Sequence, residues 1–355
     1  MNPEITRSLT LRAGPEAHAR ILADGISPDL FGSMIGASGG PKWLVLSGLD
    51  RYLAGEFFRG RQAPLALIGS SIGTWRHAYF AQRDPLAALD RFLADYLAQR
   101  YSAQPDIAEL TTSAQQLLAT LLGEHGAQEI ADNRVFRTHI LAARCHGLAA
   151  RDERAPLLSA LVLAALLNIA SRRTLALHFE RVLFAVTGGS DFRFRGLPAR
   201  TTALTADNVT DALLATAAVP LVFAPRRDIA GAPPGVYRDG GITDYHFDLD
   251  FEAPPGLVLY PHFYGHLTPG WFDKMLKWRH ARGALASRTL LVAPSPAFVA
   301  ALPGRAVPDR KDFARYGDDT RERYWRAAVD ESRRLGDAFA AWCADPDPAR
   351  YLQPL

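Results

Sequence analysis

Residues 69–73, GSSIG, set a serine between two glycines, directly after the apolar run PLALI and ahead of a stretch of helical character. In a strand-to-helix turn, G-x-S-x-G lifts the central hydroxyl out for attack, and Gly69 and Gly73 avoid side chains that would collide with neighbouring backbone. Ser71 alone holds that central position, and Ser70 is the small residue before it. A serine-rich turn that caps the following helix is the plainer alternative. A serine hydroxyl is a weak nucleophile at neutral pH, so an attacking Ser71 needs a base and a site for the developing oxyanion.

The segment GASGGPKW, 36–43, offers the second of these. It follows an apolar run and opens a helix, with Pro41 suited to the first helical turn. Gly39 and Gly40 let backbone approach a ligand closely, and their N–H groups lie at the positive end of the helix dipole. Together with the N–H of Ile72 they form a candidate oxyanion hole, with Gly36 and Lys42 in supporting positions. A phosphate-binding loop is the competing reading. It fails in detail, because that pattern needs Gly-Lys-Ser/Thr and here Pro41 and Trp43 flank the lysine.

The candidate base is Asp239 in GVYRDGGITDYH, 235–246. It ends a short apolar strand, and Gly240 and Gly241 turn the chain away behind it. An ordinary Asp-Gly turn is the alternative. A free aspartate has a pKa of about 3.9, so an efficient base here needs burial to raise it. Two histidines compete for the role. His77 lies six residues after Ser71 and points away from it on a regular helix, whereas His246 fits the order Ser, Asp, His of a conventional triad.

Positioning these groups requires strands that end where the motifs begin. LFGSMIGA, PLALIG, HILAARC, RVLFAVT, GLVLYPH and TLLVAP are short apolar runs with polar or turn residues at their ends, as expected of strands covered on both faces. Helical patterns alternate with them. In PKWLVLSGLDRYLAGEFF, Leu46, Leu49, Leu53 and Phe57 share one face, and 84–132 reads as mostly helical. DNVTDALLATAAV reads as a helix capped by Asp207 or Asn208 and closed before Pro220. The stretch 155–170 reads as a buried helix, with a lid or membrane-touching helix as the alternative, and it is too short to span a bilayer. The charged stretch near the C-terminus, DDTRERYWRAAVDESRRLGDAFAAW, reads as an amphipathic helix with a solvated polar face. VTGGSDF, 186–192, and the Pro- and Gly-rich 230–235 read as turns. Alternating strands and helices predict a three-layer α/β/α fold with a mostly parallel central sheet.

The 355 residues are 48% hydrophobic and 22% charged, enough for one large core, and the net charge of +3 is too slight to argue for nucleic acid. Cys145 and Cys343, far apart, make neither a disulfide framework nor a zinc site and fit a reducing compartment. The first residues hold no apolar run, so no signal peptide is expected. No metal or organic cofactor is implied, and no acidic loop has calcium-site spacing.

The glycine loop, GSSIG some thirty residues on, the segment TAAVPLVFAP and the later DGG, in that order, resemble the patatin-like phospholipases. The resemblance covers 31–80 and 182–245. It implies a single patatin-like domain over 1–355, with 84–178 a largely helical insertion and 255–355 adding C-terminal strands and helices. It also implies a Ser71–Asp239 dyad acting without histidine, oxyanion glycines on the 36–40 loop, and hydrolysis of lipid carboxylic esters through an acyl-enzyme. In this chain Ala37 and Ser38 interrupt the glycine run, and Lys42 stands where the family has an arginine. The expected setting is cytoplasmic, with peripheral membrane contact through 269–283, PGWFDKMLKWRHARG. That stretch reads as a basic helix with Trp271, Met275 and Trp278 on one face. A triad esterase of small soluble esters and a catalytically silent lipid-binding protein are the alternatives.

Overall fold

The computed structural model describes residues 2–186 and 191–355. The turn expected over 186–192 falls mostly on 187–190, outside the described residues. An eleven-stranded mixed sheet forms the centre. Its main strands are β1 (Leu9–Ala13), β2 (Phe31–Gly36), β3 (Leu65–Ser70), β4 (Phe136–Cys145), β5 (Phe179–Ala185), β6 (Ala199–Ala203), β7 (Val236–Arg238), β8 (Leu257–Pro261) and β9 (Thr289–Pro294). Across the sheet the order is β1, β9, β8, β2, β3, β4, β5, β6. The five from β9 to β4 are parallel, and β1 and β5 run antiparallel to their inner neighbours. All residues of β3, β8 and β9 are buried, which is why their sequences are continuous apolar runs.

Helices complete a three-layer α/β/α arrangement. The C-terminal helix Asp318–Cys343 buries Trp325, Leu335, Phe339 and Trp342 and packs on helix Ser47–Tyr52. Helix Ala206–Ala217 lies against β4, and the insertion contains helices Pro85–Leu97, Ile107–Leu122 and Gly126–Asp132. Leu46, Leu49, Leu53 and Phe57 are all buried as expected. Their segment is less regular than a single helix, passing from a 3-10 stretch, Gly40–Leu46, through α-helix to a π-turn, Leu53–Phe57. Apolar spacing identifies the buried face without fixing how tightly each turn is wound.

Three sequence expectations are corrected. Helix Ala206–Ala217 is capped at Thr205, not at Asp207 or Asn208; the Asn208 side chain reaches back to accept from the Thr205 N–H at 2.9 Å. Helix Arg154–Ala170 forms but is not buried all round, since Leu158, Val162, Leu163, Leu166 and Ile169 are exposed. Its composition is apolar on every side, so sequence gave no sign of which face is left open. Segment 269–283 is not a helix. After the 3-10 turn Trp271–Asp273, the buried Asp273 carboxylate accepts from Gly270 N–H, Asn168, Arg172 and Arg279, and those bonds hold the chain in turns. Trp271 is half-buried, while Met275 and Trp278 are 84% and 66% exposed.

Candidate active site

β4 is ten residues long, and two strands share one of its edges head to head. β3 runs parallel along the first part, with Ser70 opposite Leu141. β7 runs antiparallel along the last part, with Arg238 opposite Ala143. Ser71 and Asp239 are the next residue of each strand, so both arrive beside Ala142. There the Ser71 Oγ donates to Asp239 Oδ2 at 2.9 Å, and the two residues are 7% and 6% exposed.

Ser71 sits at φ 53°, ψ −133°, outside the regions open to most side chains. Such a conformation costs about 1–3 kcal/mol and persists only where surrounding contacts over-determine it. Here the Ser71 N–H donates to Thr216 Oγ1 at 2.9 Å, and the Thr216 hydroxyl donates in turn to the Leu141 carbonyl. The start of helix Ile72–Phe80 presses on the end of β2 so closely that a Cβ on Gly73 would lie 2.1 Å from the Gly36 carbonyl oxygen. A Cβ on Gly69 would also crowd the Gly73–Thr74 backbone, with the Thr74 nitrogen 2.8 Å away. The Ser71 side chain makes no capping bond to this helix. The plainer reading of GSSIG, a serine-rich helix cap, is therefore not what the turn does.

Ser70 has its own task. Its hydroxyl donates to the Asp244 carbonyl at 2.6 Å and shares a 2.8 Å hydrogen bond with Ser38 Oγ. The Ser38 N–H donates to the Tyr245 carbonyl at 2.9 Å. Glycine loop, elbow and the chain after Asp239 are thus laced together, and the buried Arg181 fork on Asp244, at 2.6 and 2.8 Å, anchors the last of these. Gly240 and Gly241 open the 3-10 turn Gly240–Ile242 that carries the chain away from Asp239.

Burial raises the Asp239 carboxyl to about 6. The pull in the other direction comes from the Gly241 N–H on Oδ1 at 2.6 Å, from Ser71, and from the charges of Arg310 and Lys274. A base poised near neutrality suits proton abstraction from a hydroxyl. Beside it, the N–H groups of Gly39, Gly40 and Ile72 donate to no other group among the described residues. Gly40 holds φ +55°, which turns the loop into the 3-10 stretch behind it. Lys42 pairs with Asp309 on the cavity wall.

The histidines take no part in this contact. His77 is buried with neither ring nitrogen bonded among the described residues, and burial holds its pKa well below the usual value. His246 lines the cavity, but its Nδ1 accepts from the Thr268 N–H at 3.0 Å and its ring stacks on Tyr245 at 4.2 Å. Burial again holds it well below the usual range. No group of three or more His, Cys, Asp or Glu side chains among the described residues is placed to hold a metal.

Sequence reading missed Thr216, the tethering roles of Ser38 and Ser70, and Arg310. Thr216 opens the quoted segment TAAVPLVFAP, but nothing in a single threonine marks it as a backbone clamp. Arg310 lies in an exposed loop 239 residues from Ser71, and its guanidinium stands 3.6 Å from where a Cβ on Gly40 would be. Ser71, Gly40 and Arg310 all border two adjoining cavities, of about 540 and 290 Å³. No family model matches the chain, and no curated protein or solved structure does.

Proposed function

We propose that the chain is a serine acyl hydrolase that cleaves carboxylic esters of lipids through a Ser71–Asp239 dyad, as its resemblance to the patatin-like phospholipases implies. The observation that carries this reading is the direct 2.9 Å bond from Ser71 Oγ to a buried carboxylate, at a strained elbow. As Ser71 Oγ attacks the ester carbonyl carbon, Asp239 takes the hydroxyl proton. The tetrahedral oxyanion is received by the N–H groups of Gly39, Gly40 and Ile72, where one preorganised donor is typically worth about 3–4 kcal/mol. Collapse breaks the bond to the alcohol oxygen, which leaves with the proton from Asp239. Water then gives a proton to Asp239 and attacks the acyl carbon, and breakdown frees the carboxylic acid and returns the proton to Ser71.

The reading extends to a lipid surface. Among the described residues no helix is long and apolar enough to cross a membrane. Exposed Met275 and Trp278 share their stretch of chain with exposed Lys277 and Arg282, and Arg279 ties this segment to the Asn168 and Ile169 carbonyls at the end of the half-open helix Arg154–Ala170. Apolar side chains amid cations fit the boundary of an anionic bilayer, which would make a cytoplasmic protein peripherally bound.

Intact mass after exposure to a long-chain fluorophosphonate tests the central claim. One adduct is expected on the native chain and none on the Ser71→Ala chain. A folded protein that takes up no adduct would refute the hydrolase reading and leave lipid binding without turnover.

A further inference from the structure

Ser71 stands where two cavities meet, one walled mostly by apolar residues and one also lined by charged ones. The smaller, about 290 Å³, is walled by Ile72, Trp75, Leu117, Leu214 and Phe223. The larger, about 540 Å³, is lined by the charged residues Lys42, Lys274, Asp309, Arg310 and Lys311. Lys42 and Asp309 neutralise each other. Lys274 and Arg310 have no ion-pair partner among the described residues. The Lys274 residue is exposed, but its ammonium turns inward over the Tyr245 ring at 3.8 Å. A ring face attracts a cation without using up its hydrogen-bond donors. Asp239, or the oxyanion that takes over its charge when it accepts the Ser71 proton, supplies one negative charge against these two cations, so the larger lobe keeps net positive charge through the reaction.

We propose that the substrate is an anionic acyl ester, whose acyl chain enters the apolar lobe while a phosphate or carboxylate on its alcohol portion is bound by Lys274 and Arg310. This rests on Ser71 being the nucleophile. An arginine fork and a lysine point charge suit phosphate and carboxylate alike. The apolar lobe has no charge to hold such a group except Arg226 and Arg310 at its border.

The test is kcat/KM on three esters of one short acyl chain, each below its micelle-forming concentration. One is a monoacyl glycerophosphate, one an ester of a hydroxycarboxylic acid, and one the uncharged monoacylglycerol. At least one anionic ester is expected to exceed the uncharged one by about tenfold or more. Whichever anion leads identifies the source of the charge. Lys274→Gln and Arg310→Gln should each pull that ratio toward one, and Lys274→Arg should retain it, with urea midpoints checking that every variant folds. Equal kcat/KM for all three esters, or a ratio that survives both glutamine substitutions, overturns the head-group assignment while hydrolysis stands. No turnover together with no fluorophosphonate adduct on Ser71 overturns both readings.

Discussion

Replacing Asp239 by asparagine separates what the carboxylate does for catalysis from what it costs the fold. Burial raises this group from an ordinary 3.8 to about 6. A folded-state pKa above the unfolded one means that stability is fully present below the unfolded value and is lost as pH rises through the folded one. At about 1.4 kcal/mol per pH unit, the ionised carboxylate costs the native state about 3 kcal/mol well above pH 6. Asparagine fits the same space. Its carbonyl oxygen can accept from the Gly241 N–H as Oδ1 does, and its amide can donate to Ser71 Oγ. The variant should therefore be more stable than the native chain by about 3 kcal/mol at pH 8 and by about half as much at pH 5, with the two converging toward pH 4.

Urea unfolding at a series of pH values between about 5 and 8 measures this directly. In parallel, native kcat/KM for a soluble ester should rise with pH through about 6, and the variant should lose about 10²–10⁴-fold. A stability difference that stays flat with pH, or reverses sign at pH 8, would refute the claim that a desolvated charge sits at Asp239. Near-full activity in the folded variant would remove it from the mechanism.

His246→Gln should leave kcat/KM for a soluble ester within about threefold of native, because the ring bonds to neither Ser71 nor Asp239; a hundredfold loss would instead require a triad. Gly73→Ala drives a Cβ into the Gly36 carbonyl, so urea unfolding should show at least about 2 kcal/mol lost and fluorophosphonate labelling should collapse. The paired change Met275→Ser with Trp278→Ser should weaken co-sedimentation with phosphatidylglycerol vesicles by about tenfold or more. Unchanged sedimentation would remove 269–283 from the membrane contact.

Much of the sheet was legible because strands buried on both faces must be continuous apolar runs, and β2, β3, β4, β5, β8 and β9 all follow from that rule. β1 escaped notice. It alternates buried and half-buried residues over only five positions and pairs antiparallel with β9, so neither length nor a run of apolar residues marks it. The 269–283 stretch failed for a different reason. Its apolar spacing imitates a helix, but the fold is decided by Asp273, whose acceptors are filled by Gly270 and Arg279 nearby and by Asn168 and Arg172 about a hundred positions away. Long-range polar satisfaction leaves no periodic trace in sequence.

The site divides along the same line. GSSIG and DGG are local turns, so their conformational demands show in their own residues. Their encounter across 168 positions depends on β4 outrunning β3 and on β7 turning back along the vacated edge. No spacing rule yields that, and resemblance alone linked the two motifs beforehand. What geometry adds is a set of unfavourable features gathered at one point: a serine held at φ 53°, a carboxylate kept from water, and three N–H groups without partners among the described residues. A serine serving only to cap its helix would need none of them, since it could bond the first helical turn from a relaxed backbone. Each feature taken alone weakens the fold. Together they match what acyl transfer asks of a nucleophile, its base and its oxyanion site, and that coincidence is the physical case for chemistry at Ser71.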